Sequence, residues 1–304
     1  MPAASARAAE IKDANVRYHD VAAATYDAKW GIDLGKVGQA QVRAKLAKAL
    51  GRQMDRPFRD ALEVGAGTGY FTLNLLQAGL IERATASDIS AGMLGRLEES
   101  AASRGLEVAT AEAEAAELPF PDGSFDLVFG HAVLHHVPDL EQAFGEFARV
   151  LRPGGGVAFC GEPSRYGDLV ASLPKRVGSL LAPGWRLALG AASANGGGPG
   201  SAAEHELEAA VDVHAFEPGG LRRLLAGAGF SEVRVAGEEL LANGFGWLCR
   251  ALESTADPDH VPMLWRNFAF RGYLALQRVD AALLEPRLPP ALFYNLMLSG
   301  RKAN

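Results

Sequence analysis

The chain has 304 residues, of which 36 are acidic and 30 are basic, so its formal net charge is −6. Apolar residues make up 48% and charged residues 22%, a composition typical of globular proteins that excludes a disordered chain and a fibre. The acidic balance, without a run of Lys or Arg, would repel a phosphate backbone, and we therefore expect no nucleic-acid partner.

The cysteines and the N-terminus indicate the compartment. Cys160 and Cys249 are the only cysteines, which excludes a disulfide framework and a cysteine zinc cluster and fits a reducing environment. Residues 1–13 lack the apolar core of a signal peptide. No apolar run approaches the roughly 20 residues that span a bilayer. We expect a cytoplasmic protein with no integral membrane segment and no metal, either a monomer or a homodimer.

Helices and short apolar runs follow one another along the chain. Helices are predicted at 11–30 and 39–50, and in the first Tyr18, Ala22, Tyr26 and Trp30 recur every four residues along one face. Strands are predicted at 60–64, 84–88, 106–110, 125–130 and 156–161, with helices between them at 70–78, 91–104, 112–118 and 140–151. Because strands alternate with helices, the sequence predicts βαβ units and a parallel sheet with helices on both faces.

Two long interruptions follow the fifth strand. The first contains a glycine-rich run at 196–200, and the second, from 240 to 290, is rich in Leu, Phe and Trp. Between them lie a predicted helix at 218–228 and strand at 231–236, and a last strand is predicted at 292–298. Insertions of this length are too long for plain connections, and we interpret them as a helical cap or lid. The second is also apolar enough to line a pocket or to form the core of a cap.

A glycine-rich loop is the clearest local feature of the sequence. Glu63 and Val64 end a predicted strand, and the GxGxG sequence that follows, with Ala66 between the first two glycines, opens a helix. Glycines let the backbone turn tightly and approach a ligand. The dinucleotide fingerprint would need glycine at position 70, where this chain has tyrosine, so an NAD(P)-linked site is disfavoured. The three glycines of the loop are Gly65, Gly67 and Gly69. The alternative to a ligand-binding loop is a simple turn between the strand and the helix.

An acidic residue lies at or just after the end of each of the next two strands. Asp88 ends the second strand, where a carboxylate can accept both hydroxyl hydrogens of a ribose; alternatively it caps the next helix, a role that Ser90 can fill equally well. Glu114 follows the third strand and can accept from an adenine amino group, or it is a solvated charge in an acidic run.

At this point the sequence resembles the class I S-adenosylmethionine-dependent methyltransferases, and especially the branch of ubiquinone/menaquinone and natural-product methyltransferases. The resemblance covers about residues 60–162. It is carried by EVGAGTGYF (63–71), SDISAGML (87–94), LPFPDGSFDLV (118–128), VLHHVPD (133–139) and RVLRPGG (149–155). It implies a Rossmann-like, seven-stranded, mostly parallel sheet with its last strand antiparallel, plus the helical cap or lid insertions.

The resemblance also implies a division of the chain into six parts. These are cover helices at 1–58, a cofactor-binding core at 59–163, an insertion or lid at 164–215, a core helix and strand at 216–240, a helical insertion at 241–290 and a final strand at 291–304. We expect residues 11–30, 190–201 and 245–285 to form a lid over the carboxyl ends of the strands.

The resemblance assigns S-adenosylmethionine as the cofactor. The glycine loop would meet its methionine part, Glu63 would orient the amino group, and Asp88 would take the ribose hydroxyls. Ile89 and Met93 would flank the adenine, and Glu114 with Ala115 would bind its edge. This branch often has Gly-Asp-Ala-Glu where the chain has Ala-Glu-Ala-Ala at 113–116, so the longer Glu114 would reach the adenine differently. The full set of cofactor-binding candidates is Tyr26, Glu63, Gly65, Ala66, Gly67, Gly69, Asp88, Ile89, Met93, Glu114, Ala115 and His131.

Methyl transfer needs a protein base only when the acceptor starts protonated. His131, His135 and His136 cluster past the fourth strand, at the edge where open α/β sheets bind ligands, and Glu162 follows the fifth strand. These four are the candidate catalytic residues, although the histidines can equally serve packing and Glu162 can cap a segment. His214 is a further candidate.

The sequence therefore predicts methyl transfer to a small apolar or aromatic acceptor, by O- or C-methylation. The alternatives are an NAD(P)-linked oxidoreductase and a catalytically silent cofactor-binding scaffold.

Overall fold

The computed structural model describes residues 2–23, 26–27, 31–54, 57–193 and 214–303. The chain divides into two compact units. The first comprises residues 1–162, 207–235 and 297–304, and the second comprises 163–206 and 236–296. Trp30, the glycine-rich run at 196–200 and most of the predicted lid segment 190–201 lie outside the described residues.

A seven-stranded sheet has the strand order β3-β2-β1-β4-β5-β7-β6. Its strands are β1 Phe58–Val64, β2 Ile81–Asp88, β3 Ala109–Glu112, β4 Phe125–His131, β5 Leu151–Pro163, β6 Phe230–Glu238 and β7 Asn295–Lys302. The first five strands pair in parallel, and the last strand is antiparallel. The predicted fold class, Rossmann-like and mostly parallel, is confirmed.

The strand order sets the position of the site. β1 and β4 are neighbours, and from them the chain continues in opposite directions, through β2 and β3 on one side and through β5 on the other. In open α/β sheets, ligands bind at the carboxyl ends of the two strands where the order reverses. The glycine loop follows β1, and the histidine segment follows β4. Both therefore lie at this switch point.

The helices of the first unit lie near their predicted positions, except that the first begins at Pro2 and ends at Ala22, where a helix over 11–30 was predicted. They are α1 Pro2–Ala22, α2 Lys36–Leu50, α3 Tyr70–Gln77, α4 Ala91–Ala102, α5 Leu140–Val150 and α7 Pro218–Gly227. The apolar residues of α5 recur at helical spacing and are buried, because one face of the helix packs on the sheet. These residues are Ala143, Phe144, Phe147 and Val150.

The second unit is largely helical. Its long helices are α6 Gly167–Leu189, α8 Leu240–Glu253 and α9 Met263–Val279. Asp280 is fully buried and accepts hydrogen bonds from the backbone N–H groups of Leu241 (3.0 Å) and Ala242 (2.8 Å), so it caps the start of α8. The side chains of Tyr273 and Gln277, both on α9, donate to the buried carboxylate of Glu239. Helices α8 and α9 are therefore joined by polar contacts as well as by packing.

The helix predicted at 112–118 is wrong. β3 extends to Glu112, and the chain then makes a tight turn in which the N–H of Glu117 donates to the carbonyl of Glu114 at 3.1 Å. In a helix the N–H of Leu118 would donate to the carbonyl of Glu114, but here it donates to the carboxylate of Glu146 at 2.9 Å. Glu146 is 28 residues away in the chain, so a local sequence pattern does not reveal this bond.

Several other boundaries differ from the sequence prediction. β3 begins three residues later than predicted, and β7 runs to Lys302 rather than ending at 298. β5 begins at Leu151 rather than at the predicted 156, because residues 152–155 form an irregularity inside the strand. The partner of β4 jumps there from Leu151 to Gly156 while β4 advances only from Phe125 to Leu127.

Candidate active site

The glycine loop uses two of its glycines for different reasons. Gly65 has φ +65°, and a Cβ there would lie 2.2 Å from Cγ2 of Val133, so the loop packs directly against the segment after β4. Gly67 has φ +53°, but a Cβ at this position would meet nothing within 4 Å. Gly65 is therefore required by the packing of the protein, whereas Gly67 leaves open space above the loop for a ligand.

We expect Gly65→Ala to destabilise the fold by about 2–5 kcal/mol, because the added methyl overlaps Val133 and the left-handed backbone is strained. Gly67→Ala is the matched control, since it carries the same strain without the overlap and is expected to cost about 1–2 kcal/mol. Urea denaturation of both variants measures the difference. Equal losses in the two variants would show that contact with Val133 is not what requires Gly65.

Asp88 connects the loop to the start of α4. Its carboxylate oxygens accept from the backbone N–H of Gly67 at 2.8 Å and of Ser90 at 2.9 Å. Burial raises the pKa of Asp88, and the two backbone hydrogen bonds oppose that rise. The N-cap of α4 is Ser90, whose hydroxyl accepts from the N–H of Met93 at 3.1 Å. Of the two capping residues considered from the sequence, Ser90 caps the helix, and Asp88 remains directed at the glycine loop.

Glu63 lies beneath the same loop and is almost fully buried. One of its oxygens accepts from both the backbone N–H and the hydroxyl of Thr72, at 2.9 and 2.5 Å. Burial raises the pKa of Glu63 to about 8, with the nearby charge of Asp88 acting in the same direction and the Thr72 hydrogen bonds opposing it. At neutral pH the group is therefore mainly uncharged in this arrangement.

A cavity of about 360 Å³ lies beyond the carboxyl end of β3. It is lined by Lys12, Ile89, Glu112, Ala113, Glu114, Glu117, Leu118 and Pro119. Two predicted adenine-binding residues, Ile89 and Glu114, are among them. Met93 is buried in a cluster with Ala22 and Ala23, and Ala115 is also buried. The structure thus brings Ile89 and Glu114 to an open cavity and places Met93 and Ala115 in packed surroundings.

The segment after β4 is held by Glu162. This side chain is fully buried and accepts from the backbone N–H of Val133 and Leu134, both at 3.0 Å, and of His135 at 3.2 Å. It also bonds Nδ1 of His135 at 2.9 Å. Both oxygens are therefore engaged, so Glu162 fixes the conformation of the segment and the orientation of the His135 ring.

The three predicted histidines differ in their surroundings. The His131 ring stacks on Phe71 with the ring centroids 4.7 Å apart. The rings of His135 and His136 are close together, with centroids 3.9 Å apart. His214 packs against the same segment, where its ring nitrogen Nε2 lies 2.9 Å from the carbonyl oxygen of Val137. His135 and His136 thus form a pair, and His131 and His214 make contacts that support the segment.

His19 completes this group and was missed from the sequence. Its ring meets that of His136 edge to face, with centroids 5.7 Å apart. Burial lowers the pKa of His19; His135 acts in the same direction, and the charges of Asp88 and Asp20 oppose it. His19 lies outside the stripe that begins at Tyr18, and no spacing pattern links it to a segment more than 100 residues away.

The N-terminal segment contacts three parts of the site. The side chain of Lys12 pairs with Glu114. Asp20 accepts from the Ser90 hydroxyl and from the N–H of Gly92. The Thr68 hydroxyl donates to Asp27 at 2.6 Å.

The stripe of residues predicted along one face of this segment is buried in part. Tyr18 and Ala22 are buried, and Tyr26 packs on the cluster that contains Met93. Burial raises the pKa of Tyr26 to about 12, with the charges of Tyr18, Asp88 and Asp27 adding to the effect, so its hydroxyl remains a donor at neutral pH.

Comparison with known proteins agrees with this geometry. A family model described as a methyltransferase domain matches residues 62–159. The region between these bounds is a class I S-adenosylmethionine-dependent methyltransferase domain. The match runs from β1 to β5, so it includes the glycine loop, Asp88 and the histidine pair.

Two curated relatives show how far the similarity extends. The demethylmenaquinone methyltransferase of Thermus thermophilus is 36% identical over 108 residues, which cover 36% of this chain and 49% of the relative. The 27-O-demethylrifamycin SV methyltransferase of Amycolatopsis mediterranei is 33% identical over 150 residues, covering 46% of this chain and 55% of the relative. The chain therefore spans about half the length of these relatives.

A solved structure extends the similarity of the fold. It is a phosphoethanolamine N-methyltransferase of Haemonchus contortus, described in complex with phosphomonomethylethanolamine and S-adenosylhomocysteine. It has 17% sequence identity and a TM-score of 0.58, and the match covers 94% of this chain and 58% of the other. The predicted family, enzyme class and cofactor, S-adenosylmethionine, are confirmed for the methyltransferase domain.

Proposed function

We propose that this protein transfers a methyl group from S-adenosylmethionine to a small apolar or aromatic acceptor, by O- or C-methylation. The observation that supports this most strongly is the position of the histidine pair. It follows β4 and comes directly after Val133 and Leu134, and Gly65 of the glycine loop packs on Val133. The two curated relatives have names that indicate methylation of a quinone and of a natural product. Both are consistent with an apolar or aromatic acceptor.

The residues around the loop fit the cofactor. The open space at Gly67 gives the backbone a close approach to the methionine part. Glu63 and Asp88 supply carboxylates for its amino group and for the ribose hydroxyls, and the cavity beside Ile89 and Glu114 takes the adenine. When bound, the sulfonium supplies an activated methyl group, so the protein needs mainly to orient the acceptor and to exclude water.

The histidines would take up the proton that a phenol, an alcohol or an acidic carbon loses. Glu162 bonds Nδ1 of His135 and thereby fixes that ring. His136 lies between His135 and His19, and all three rings are in contact along this line. We assign proton acceptance to His136 or His19, positioning to Glu162 and His135, and support of the segment to His131.

A test uses the full chain with S-adenosylmethionine labelled on the methyl group and metabolite fractions separated by polarity. We expect label in an apolar or aromatic product. A silent scaffold would bind the cofactor and label nothing, and an oxidoreductase would instead bind NADH tightly, which fluorescence titration measures. Tyr70 occupies the position of the third dinucleotide glycine, so we expect no such binding.

Binding of S-adenosylmethionine is expected to release a proton near pH 7. Glu63 is mainly uncharged before binding because its pKa is about 8, and an ammonium group beside it favours the carboxylate and lowers that pKa. Titration calorimetry in two buffers of different ionisation enthalpy measures the proton released. Glu63→Gln keeps an acceptor for Thr72 but has no proton to lose, so the buffer dependence should fall. An unchanged dependence in this variant would show that another group releases the proton.

A further inference from the structure

Helix α6 of the second unit buries its small residues and exposes its large apolar ones, the reverse of the usual pattern in a helix that packs on a core. Its buried residues are all glycine or alanine, namely Gly167, Ala171, Gly178 and Ala182. A Cβ on Gly178 would lie 2.6 Å from Cβ of Ala251, so α6 packs closely on α8 through this face. The leucines of the helix are exposed instead, at 73% for Leu169, 80% for Leu180 and 86% for Leu187.

These leucines form one continuous stripe. At about 100° per residue, Leu169, Leu173, Leu180 and Leu187 fall within a sector of about 40°, and they extend over about 27 Å of helix. Val177 and Leu181 are also exposed and widen the stripe on one side. An exposed apolar patch of this size usually marks an interaction surface.

Helix α9 adds a second exposed apolar region. No residue of this helix is buried, and Met263, Leu264 and Phe268 are all more than half exposed. α6 and α9 meet where the rings of Trp185 and Trp265 contact edge to face, with centroids 5.1 Å apart. We refer to the exposed apolar residues of the two helices together as the α6–α9 face.

The charges on these helices are segregated. α6 has a single acid and α9 has none. Arg176 of α6 and Arg271 and Arg278 of α9 are exposed, whereas Lys175 lies over the ring of Trp247, and Arg186 and Arg266 donate to backbone carbonyls. The chain as a whole has a net charge of −6, so this basic character is local. Exposed aliphatic side chains flanked by basic ones are the pattern of helices that lie in the interface of a membrane with anionic lipids.

We propose that the α6–α9 face lies on an anionic lipid membrane, with its leucines among the acyl chains and its basic residues at the phosphates. Within the described ranges, no helix has the length and hydropathy needed to cross a bilayer, so the contact is with the surface. A second copy of the chain is a poorer occupant, because a two-fold contact would bring the basic helices together with almost no acid to pair them. This inference is independent of the proposed methyl transfer.

Sedimentation of the full chain with phosphatidylcholine vesicles, with and without about one third phosphatidylglycerol, tests the proposal. We expect binding to the anionic vesicles that weakens with salt. Leu173→Ser with Leu180→Ser should weaken it by on the order of tenfold to 100-fold. Arg176→Gln with Arg271→Gln should weaken it by on the order of tenfold and reduce the salt dependence.

The matched control is Val37→Ser with Arg43→Gln, which changes an exposed apolar and an exposed basic residue of α2 in the first unit. Its vesicle binding should equal that of the unaltered protein. Calorimetric affinity for S-adenosylhomocysteine shows that each variant is folded, since none of these residues belongs to the site. Equal binding to neutral vesicles, or full binding by the leucine variant, would overturn the proposal. So would light scattering showing a dimer that the leucine variant dissociates without any vesicle binding.

Discussion

Asp88→Ala is expected to weaken the binding of S-adenosylmethionine by at least tenfold and by up to about 1000-fold. The carboxylate accepts from Gly67 and Ser90 and, in our proposal, from the ribose hydroxyls. Each charge-assisted hydrogen bond contributes on the order of 1.5–3 kcal/mol, and the alanine variant also leaves two backbone N–H groups without their acceptor. Titration calorimetry with S-adenosylmethionine and with S-adenosylhomocysteine measures the change.

Asp88→Asn separates the two contributions. The amide oxygen can still accept from one backbone N–H, so the loop should be better ordered than in the alanine variant, but the charge is absent. We expect an intermediate affinity. A thermal melt of each variant shows how much of the loss comes from the loop itself. Unchanged affinity in both variants would remove Asp88 from the cofactor site.

Loss of the proton-accepting histidines is expected to lower kcat by on the order of 100-fold to 10,000-fold, with little change in cofactor affinity. His136→Ala and His19→Gln test the two candidates with an acceptor identified by the labelling experiment. His260, more than half exposed in the second unit, provides the control substitution His260→Gln, which should leave kcat unchanged. A full rate in both site variants would show that the acceptor needs no histidine base.

The pH dependence follows from the pKa of His19. Burial lowers this pKa below 6.5, so the ring is neutral at pH 7 and becomes protonated only as the pH falls through the lowered value. Asp88 and Asp20 favour the charged ring, whereas His135 disfavours it. If His19 is the base, the rate should decline on the acid side below pH 6.5, and His19→Gln should abolish that limb. If His136 is the base, His19→Gln should keep most of the rate and His136→Ala should lose it.

The cofactor half of the fold could be predicted from the sequence because its signals are local. Glycines after a strand, an acid at the end of the next strand and regular apolar spacing each depend on residues that are close in the chain. The helix predicted at 112–118 does not form, and the N–H of Leu118 donates instead to the carboxylate of Glu146, 28 residues away. No local pattern contains that information.

The site residues show the same division. Asp88 and the glycines were identified as candidates from spacing, whereas His19 comes close to the histidine pair only because α1 packs on α4 and its ring meets that of His136. Glu162 was found as a candidate, but its four hydrogen bonds to residues 133–135 indicate positioning, and they depend on the pairing of β4 with β5. Such roles follow from tertiary structure, which the sequence analysis did not supply.

The place of β7 in the sheet has a consequence for synthesis of the protein. β7 lies between β5 and β6, yet it is translated after both of them. On the ribosome, β1 to β5 can assemble in order as they emerge, while β6 has no neighbour in the sheet until residues 295–302 are available. During the last part of translation the edges of β5 and β6 that will later pair with β7 are therefore open, and such edges readily pair with other chains. The nascent protein is most exposed to aggregation in this interval, after its cofactor-binding strands are complete.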